Sequence, residues 1–130
     1  MPIATGFAAP IAQNQNYQFT AADGIVDHSF PQWSYGNQVI NGMWASNNDT
    51  IDHKLRVSLA STNGALAQWE VDVPIGAGYG TAPAVDVMTA ILGVGNTGIL
   101  LGPNDFFVVG MTTAILSVKV VNVLLLAVTA

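Results

Sequence analysis

The chain has 130 residues, of which 51% are hydrophobic and 8% are charged, and its formal net charge is −5. Globular proteins usually have about 25% charged residues, so much of this surface must be neutral or apolar, and such surfaces are usually covered by a partner. The three basic residues exclude the broad positive patch that binds nucleic acid. The absence of cysteine excludes disulfides and thiolate metal sites.

The first 22 residues are rich in Ala, Gln and Asn and are interrupted by prolines. This composition favours an extended N-terminal arm over residues 1–22, followed by a single β domain over residues 23–130. No basic segment precedes an apolar run, so we do not expect a signal peptide.

Short apolar-polar runs bounded by turn residues predict strands at Gly24–Phe30 and Gln38–Ser46. From Ile51 to Leu59, apolar and polar residues alternate with a period of two, which is typical of a strand with one buried face.

The dipeptide Asn63-Gly64 then predicts a hairpin turn, and a second alternating run follows at Ala65–Val73. We expect the two strands to pair antiparallel, with Lys54 and Arg56 facing acidic side chains of the partner strand.

The glycine-rich segment Gly76–Gly80 predicts a loop, and it lacks the Lys-Ser/Thr of a phosphate-binding loop. Pro83–Leu92 predicts a short helix, and Ile99–Leu101 a brief strand. Gly102–Asp105 is a strong turn signal, and another strand is predicted at Phe106–Val109.

The apolar run Phe106–Ala130 is long enough to span a bilayer as a helix. The turn-like Gly110–Thr113, the polar Lys119 and Asn122, and the abundance of Val, Ile and Thr instead favour strands. We therefore predict a long last strand over Ala114–Val128 and no membrane partner. Its apolar residues fall on both faces, which is typical of a strand in the centre of a sandwich or at a subunit interface.

Together these elements predict an all-β fold, either an antiparallel β-sandwich or a jelly-roll-like barrel, with the extended N-terminal arm.

His28 and His53 each follow an aspartate, which raises the possibility of a metal pair or an acid-base dyad. Adjacent residues on a strand point to opposite faces, so neither Asp27 nor Asp52 can support its own neighbour. The prediction is a hydrogen-bonded histidine in the core or at an interface.

Asn47-Asn48-Asp49 followed by Asp52 only partly matches a calcium-binding loop. No nucleophile-base set and no Gly-x-Ser-x-Gly motif is present. We therefore expect no catalytic residues, no metal and no cofactor, and the chain is not predicted to be an enzyme.

Five aromatic residues offer the flat rings that a sugar-stacking platform uses. Trp44 and Trp69 lie in strand patterns and are predicted to pack in the core or at an interface. Trp33, Tyr35 and Tyr79 lie in predicted loops, where they are available to a ligand or partner.

The candidate interface residues come from the arm, the loops and the last strand. They are Phe7, Tyr17, Phe19, Trp33, Tyr35, Tyr79, Leu124 and Leu126.

Two runs also carry a resemblance to a known type of protein: WASNNDTIDHKLRVSLAS (Trp44 to Ser61) and ILLGPNDFFVVGMTTAILSVKVVNVLLLA (Ile99 to Ala127). A glycine-rich loop and a Pro-led apolar stretch lie between them. From about Val39 to its end, the chain resembles small virion structural proteins of tailed bacteriophages, of the head decoration or cement type. The arm before Gly24 and the loop around Tyr79 depart from that pattern.

The resemblance implies a β-sandwich or jelly-roll unit in a homotrimer or other symmetric cluster on the capsid surface. Its partners would be copies of itself and the major capsid protein or other virion subunits. Tail and fibre proteins are similar in appearance, so the alternative is a tail or fibre component, or a glycan-binding module that uses the loop aromatics.

Overall fold

We describe a computed structural model of the chain over residues 14–30, 38–62, 64–116 and 118–129. In these ranges the chain forms strands, one α-helix and a 3₁₀ helix at Ala21–Asp23. The strands are β1 (Gln15–Thr20), β2 (Asp27–Phe30), β3 (Gln38–Asn47), β4 (His53–Ser61), β5 (Gly64–Val73), β6 (Val85–Asp86), β7 (Ile99–Leu101), β8 (Asp105–Met111) and β9 (Val120–Thr129), and the helix is α1 (Val87–Leu92).

The strands form two sheets, and every pairing between strands is antiparallel. Sheet A has the order β1-β9-β3-β6, with β7 also pairing with β3, and sheet B has the order β2-β8-β4-β5. The two sheets enclose one hydrophobic core. The fold is therefore an antiparallel β-sandwich, which confirms the first of the two predicted all-β architectures.

The β4–β5 hairpin agrees with its prediction. Lys54 lies opposite Asp72 and Arg56 opposite Glu70. The ammonium of Lys54 lies 3.7 Å from a Glu70 oxygen and 3.6 Å from an Asp72 oxygen, and all three side chains are exposed. Such exposed pairs contribute about 0–1 kcal/mol, so they are consistent with the strand register but add little to stability.

Alternating residues of the strands fill the core. In β9, Val121, Val123, Leu125 and Ala127 are buried. Fully burying an aliphatic side chain of this size contributes about 1.5–3 kcal/mol, so the register of β9 is strongly specified. The opposite face of β9 points outward and is only partly covered, with Leu124 38% exposed. Both faces of this strand were predicted to be buried. Within the chain, the face that points into the core is buried and the opposite face is not.

The predicted last strand is wrong over Ala114–Lys119, because β9 begins at Val120. Two side chains from another loop capture the backbone here: the Leu116 N–H donates to Asp49 and the Val120 N–H donates to Asn48. Val118 has a φ of 59°, which no strand residue adopts.

The predicted arm over residues 1–22 differs from the structure near its end. Gln15–Thr20 form β1 and pair with β9 along their whole length. The neutral composition that indicated an arm is equally compatible with an edge strand, since β9 supplies the apolar partner surface. Residues 1–13 lie outside the described residues.

Helix α1 is shorter than the predicted Pro83–Leu92. Asp86 caps it by accepting hydrogen bonds from the Thr89 N–H and the Thr89 hydroxyl. Val87 and Met88 enter the core, whereas Leu92 is 37% exposed. No helix in the described ranges is long and apolar enough to cross a membrane.

Candidate functional site

The outer face of sheet A lacks the charge that the other sheet carries. Asp86 is the one charged residue in the described strands of sheet A, and it is engaged as the cap of α1. The strands of sheet B carry the other strand charges, at Asp27, Lys54, Arg56, Glu70, Asp72 and Asp105. The charge shortage seen in the composition is therefore concentrated on one side of the sandwich.

One end of this outer face is aliphatic. Val39 of β3 lies opposite both Val128 of β9 and Leu100 of β7, and Leu126 lies opposite Gly42. Leu100 is 61% exposed, and the others are partly exposed. We call Val39, Leu100, Leu126 and Val128 the aliphatic patch.

The other end of the face combines an aromatic ring with neutral polar groups. The register places Trp44 and Asn16 on either side of Leu124, and Ser46 opposite Asn122. They line a cleft of about 430 Å³, which we call the amide cleft. Trp44 is 39% exposed and Leu124 38% exposed. The lining residues are Asn16, Trp44, Ala45, Ser46, Ala84, Asn122 and Leu124.

The glycine-rich loop positions Tyr79 beside this cleft. The loop is bonded to β3, since the Asn47 N–H donates to the Ala77 carbonyl and the Gly76 N–H donates to the Asn47 carbonyl. Tyr79 is 47% exposed, and its hydroxyl accepts a hydrogen bond from the Asn122 amide at 3.0 Å. A side chain at Gly78 would lie 2.8 Å from Cβ of Ser46, so glycine is required for this close approach.

A buried polar cluster lies at one end of the sandwich. Asp49 Oδ2 lies 2.7 Å from His53 Nε2, and His53 Nδ1 lies 2.7 Å from the Thr113 hydroxyl. The same aspartate accepts hydrogen bonds from the backbone N–H groups of Leu116 and Thr50. Both ionisable side chains are fully buried. We call Asp49, His53 and Thr113 the clasp, because they join loop 48–52 to loop 112–119.

Asn47 and Asn48 extend the connection between the two sheets. The Asn47 amide donates to the carbonyls of Ile51 and Val73, the latter in sheet B. The Asn48 side chain accepts from the Val120 N–H at the start of β9. The side chains of Asn47, Asn48 and Asp49, which partly match a calcium-binding loop, are thus hydrogen-bonded to other groups of the protein. Within the described ranges no three His, Asp or Glu residues are grouped as metal ligands.

The hydrogen bonds that Asp49 accepts lower the pKa of its carboxyl group. Burial alone would raise the pKa of its carboxyl, but the hydrogen bonds from His53, Leu116 and Thr50 together outweigh burial and hold the pKa below its ordinary value. A lowered carboxyl pKa gives stability that is present above the ordinary aspartate pKa of about 3.9 and is lost as the pH falls through the folded-state value.

We therefore expect the urea midpoint of the wild type to fall as the pH drops below about 4, and the fall to be smaller in Asp49→Asn. The pKa of Asp23 is also lowered, mainly by the hydrogen bond from the Thr20 N–H. Asp23 therefore also contributes a loss of stability at low pH, and this loss is the same in the wild type and in Asp49→Asn. The difference between the two pH profiles therefore isolates Asp49. Parallel profiles would contradict the assignment.

A ring stack joins the two sheets at their edges. Tyr17 of β1 stacks on His28 of β2 with ring centroids 3.8 Å apart, and His28 contacts Phe30 edge-on at 4.9 Å. The Tyr17 hydroxyl donates to Asp23. Burial lowers the pKa of His28, which favours the neutral ring, and within the described residues its ring contacts are these two.

The structure separates the candidate interface residues. Tyr79 and Leu124 are exposed beside the amide cleft, and Leu126 is in the aliphatic patch. Tyr17 is half-buried in the ring stack, and Phe19 is fully buried in the chain's own core. Phe7, Trp33 and Tyr35 lie outside the described residues.

Sequence reasoning treated the two strand tryptophans alike, and the structure distinguishes them. Trp69 packs against the core from sheet B, whereas Trp44 lies on the outer face of sheet A. The pairing of Asp49 with His53 was not predicted from the sequence. The two residues are four positions apart, with Asp49 in a loop and His53 at the start of β4, and no regular spacing rule applies there. The buried position of His53 in an alternating strand was the available signal.

The chain is thus an antiparallel β-sandwich in which the outer face of sheet A is nearly free of charge. No protein-family model matches the chain, and no curated protein sequence matches it. Among solved structures, the Drosophila NLP-core, described for pentamer formation and histone binding, is similar at 10% identity and a TM-score of 0.49, over 92% of this chain and 98% of that chain.

A second similar structure is the virus-like particle of the extra small virus of the giant freshwater prawn Macrobrachium rosenbergii. Its identity is 14% and its TM-score 0.38, over 95% of this chain and 81% of that chain. Both proteins come from outside the tailed bacteriophages.

Proposed function

We propose that this chain is a non-enzymatic structural protein of a tailed-bacteriophage virion that associates with copies of itself through the aliphatic patch. The observation that carries the proposal is the segregation of charge: the outer face of sheet A is uncharged apart from the helix-capping Asp86, while sheet B carries the other strand charges.

The chain has a net charge of −5, so two copies repel each other wherever their charged surfaces meet. Burying an unpaired charge in a contact is also costly. A contact through the aliphatic patch avoids both penalties, because its four side chains are uncharged. An uncharged apolar patch can also pack against the same patch of a second copy, as a two-fold symmetric interface requires.

The non-enzymatic part of the proposal has its own support. The pair with acid-base chemistry, Asp49 and His53, is fully buried and bonded to backbone and Thr113. A substrate has no access to it. Its hydrogen bonds to Thr113 and to the Leu116 N–H give the pair a structural role that needs no catalysis.

The virion assignment rests on the sequence resemblance of Trp44–Ser61 and Ile99–Ala127 to phage decoration and cement proteins. The proposed arrangement is a homotrimer or similar cluster on the capsid surface, in contact with the major capsid protein. Cryo-EM of the particle is expected to show the chain on the outside of the head shell. Density at the tail would favour the alternative, a tail or fibre component, and absence from the particle would refute the virion assignment.

The self-association part is tested by Leu100→Lys. We expect the added charge in the aliphatic patch to weaken association at least about tenfold, equivalent to about 1.4 kcal/mol. The measurement is the mass in solution by light scattering across a concentration series. Leu66→Lys is the matched control, since Leu66 is 60% exposed on sheet B and Leu100 is 61% exposed. A monomeric wild type, or equal effects of the two variants, would contradict the proposal.

A further inference from the structure

We propose that the amide cleft binds an uncharged sugar unit of a glycan, with the sugar ring packed against the indole of Trp44. This proposal does not depend on self-association, because the cleft and the aliphatic patch have no residue in common, although they adjoin each other between Leu124 and Leu126 of β9. It assigns the sugar contact to Trp44 of β3, a residue that the strand pattern had placed in the core or at a protein interface.

The size of the cleft suits a small ligand. Its volume of about 430 Å³ lies within the range of about 300–1,000 Å³ that is usual for ligand sites. Trp44 forms one wall and is 39% exposed, so part of its ring is available to a ligand. An indole has a large apolar surface with a fixed orientation, and the C–H face of a pyranose is the apolar surface that matches it.

The polar lining matches sugar hydroxyl groups. Amides provide both donors and acceptors, and the cleft has two, from Asn16 of β1 and Asn122 of β9. The Asn122 amide nitrogen donates to the Tyr79 hydroxyl, which fixes the amide and leaves its carbonyl oxygen to accept from a ligand. Within the described residues, the side chains of Asn16 and Ser46 make no hydrogen bond to the protein.

The charge of the site defines the class of sugar. None of the lining residues is ionisable. Asp86, the register partner of Trp44, is already bonded to Thr89. An anionic sugar or a phosphate would therefore meet no cation in the cleft, whereas a neutral hexose requires none.

The aliphatic patch provides a contrast on the same sheet. Its residues are Val39, Leu100, Leu126 and Val128, which offer no side-chain hydrogen bond to a ligand. The polar groups of the face are thus gathered where the exposed tryptophan lies. This distribution favours a hydrogen-bonding ligand at the cleft and a protein surface at the patch.

The test is a titration of the purified full chain with lactose, maltose, cellobiose and chitobiose, followed by NMR and by tryptophan fluorescence. We expect saturable binding of at least one of these neutral disaccharides. Trp44→Ala is expected to weaken that binding about tenfold. Trp44→Leu keeps apolar bulk but removes the flat ring, and we expect a similar loss. Asn122→Ala is expected to weaken binding less.

Leu66→Lys is the matched control, because it adds a charge on sheet B, away from both the cleft and the aliphatic patch, and should leave sugar binding unchanged. The proposal is overturned if none of the four disaccharides binds, if Trp44→Leu binds as the wild type does, or if sialyllactose binds as tightly as lactose. If no sugar binds and Trp44→Leu dissociates the copies, the cleft is a protein contact; self-association through the outer face then stands and the sugar site falls.

Discussion

Replacing Asp49 by alanine is expected to lower the free energy of unfolding by about 3 kcal/mol, because several donors lose the one buried carboxylate that accepts their hydrogen bonds. The carboxylate is the acceptor for His53 Nε2 and for the N–H groups of Leu116 and Thr50. Without it, those donors are left buried or must open a path to water. Urea unfolding at neutral pH measures the loss.

Asp52→Ala is the control for this variant. Asp52 lies three residues away, is exposed, and accepts one hydrogen bond from the Ile75 N–H. Its removal is expected to cost about 1 kcal/mol or less. Similar losses in the two variants would show that the clasp does not stabilise the fold. A fall in the urea slope of Asp49→Ala would indicate that loop 112–119 opens separately.

Replacing Phe19 by alanine is expected to cost about 3–5 kcal/mol, as for other fully buried phenylalanines. Phe19 is the one buried side chain of β1, and it contributes to the core that the two sheets share. Because β1 pairs with β9, loss of this anchor should also expose the edge of β9. Urea unfolding gives the free energy, and hydrogen exchange of the Val121 and Val123 amides reports detachment of the strand.

Gln18→Ala is the control in the same strand, since Gln18 is exposed on the opposite face of β1. Its effect is expected to stay within about 0.5 kcal/mol. Phe19 was predicted to lie at an interface, whereas the structure places it in the core of the chain. These two roles predict different results for Phe19→Ala. A change in oligomer mass with an unaltered unfolding free energy would place Phe19 at an interface; the burial of its ring within the chain predicts the reverse.

The local elements of the fold were predictable from the sequence because local rules determine them. The alternation at Ile51–Leu59 and Ala65–Val73 gave the β4–β5 hairpin and the pairing of Lys54 with acidic residues. The Gly102–Asp105 turn also formed, with the Asp105 N–H donating to the Gly102 carbonyl.

The errors lie where distant residues decide the backbone conformation. The predicted strand does not form in the described residues of Ala114–Lys119, because the side chains of Asp49 and Asn48, some seventy positions earlier, accept from the N–H groups of Leu116 and Val120. Composition alone likewise did not reveal that Gln15–Thr20 pair with β9, since an edge strand with one buried residue has little apolar signal.

The candidate site was predictable in its chemistry but not in its location. The scarcity of charge indicated a neutral surface, and the outer face of sheet A is that surface. The amide cleft combines β1, β3 and β9, which are separated by long stretches of chain. No spacing in the sequence brings Asn16, Trp44 and Asn122 together before the order of the strands is known.

The order of strands in sheet A also constrains how the chain folds. β9 lies between β1 and β3, so among the described strands β1 has no neighbour in its sheet until β9 has been made. A ribosome that has released the first hundred residues has therefore produced a chain whose sheet B hairpin can form but whose sheet A cannot close. Pairing across such sequence distances is slow, and until it is complete the edges of β1 and β3 are open to other chains.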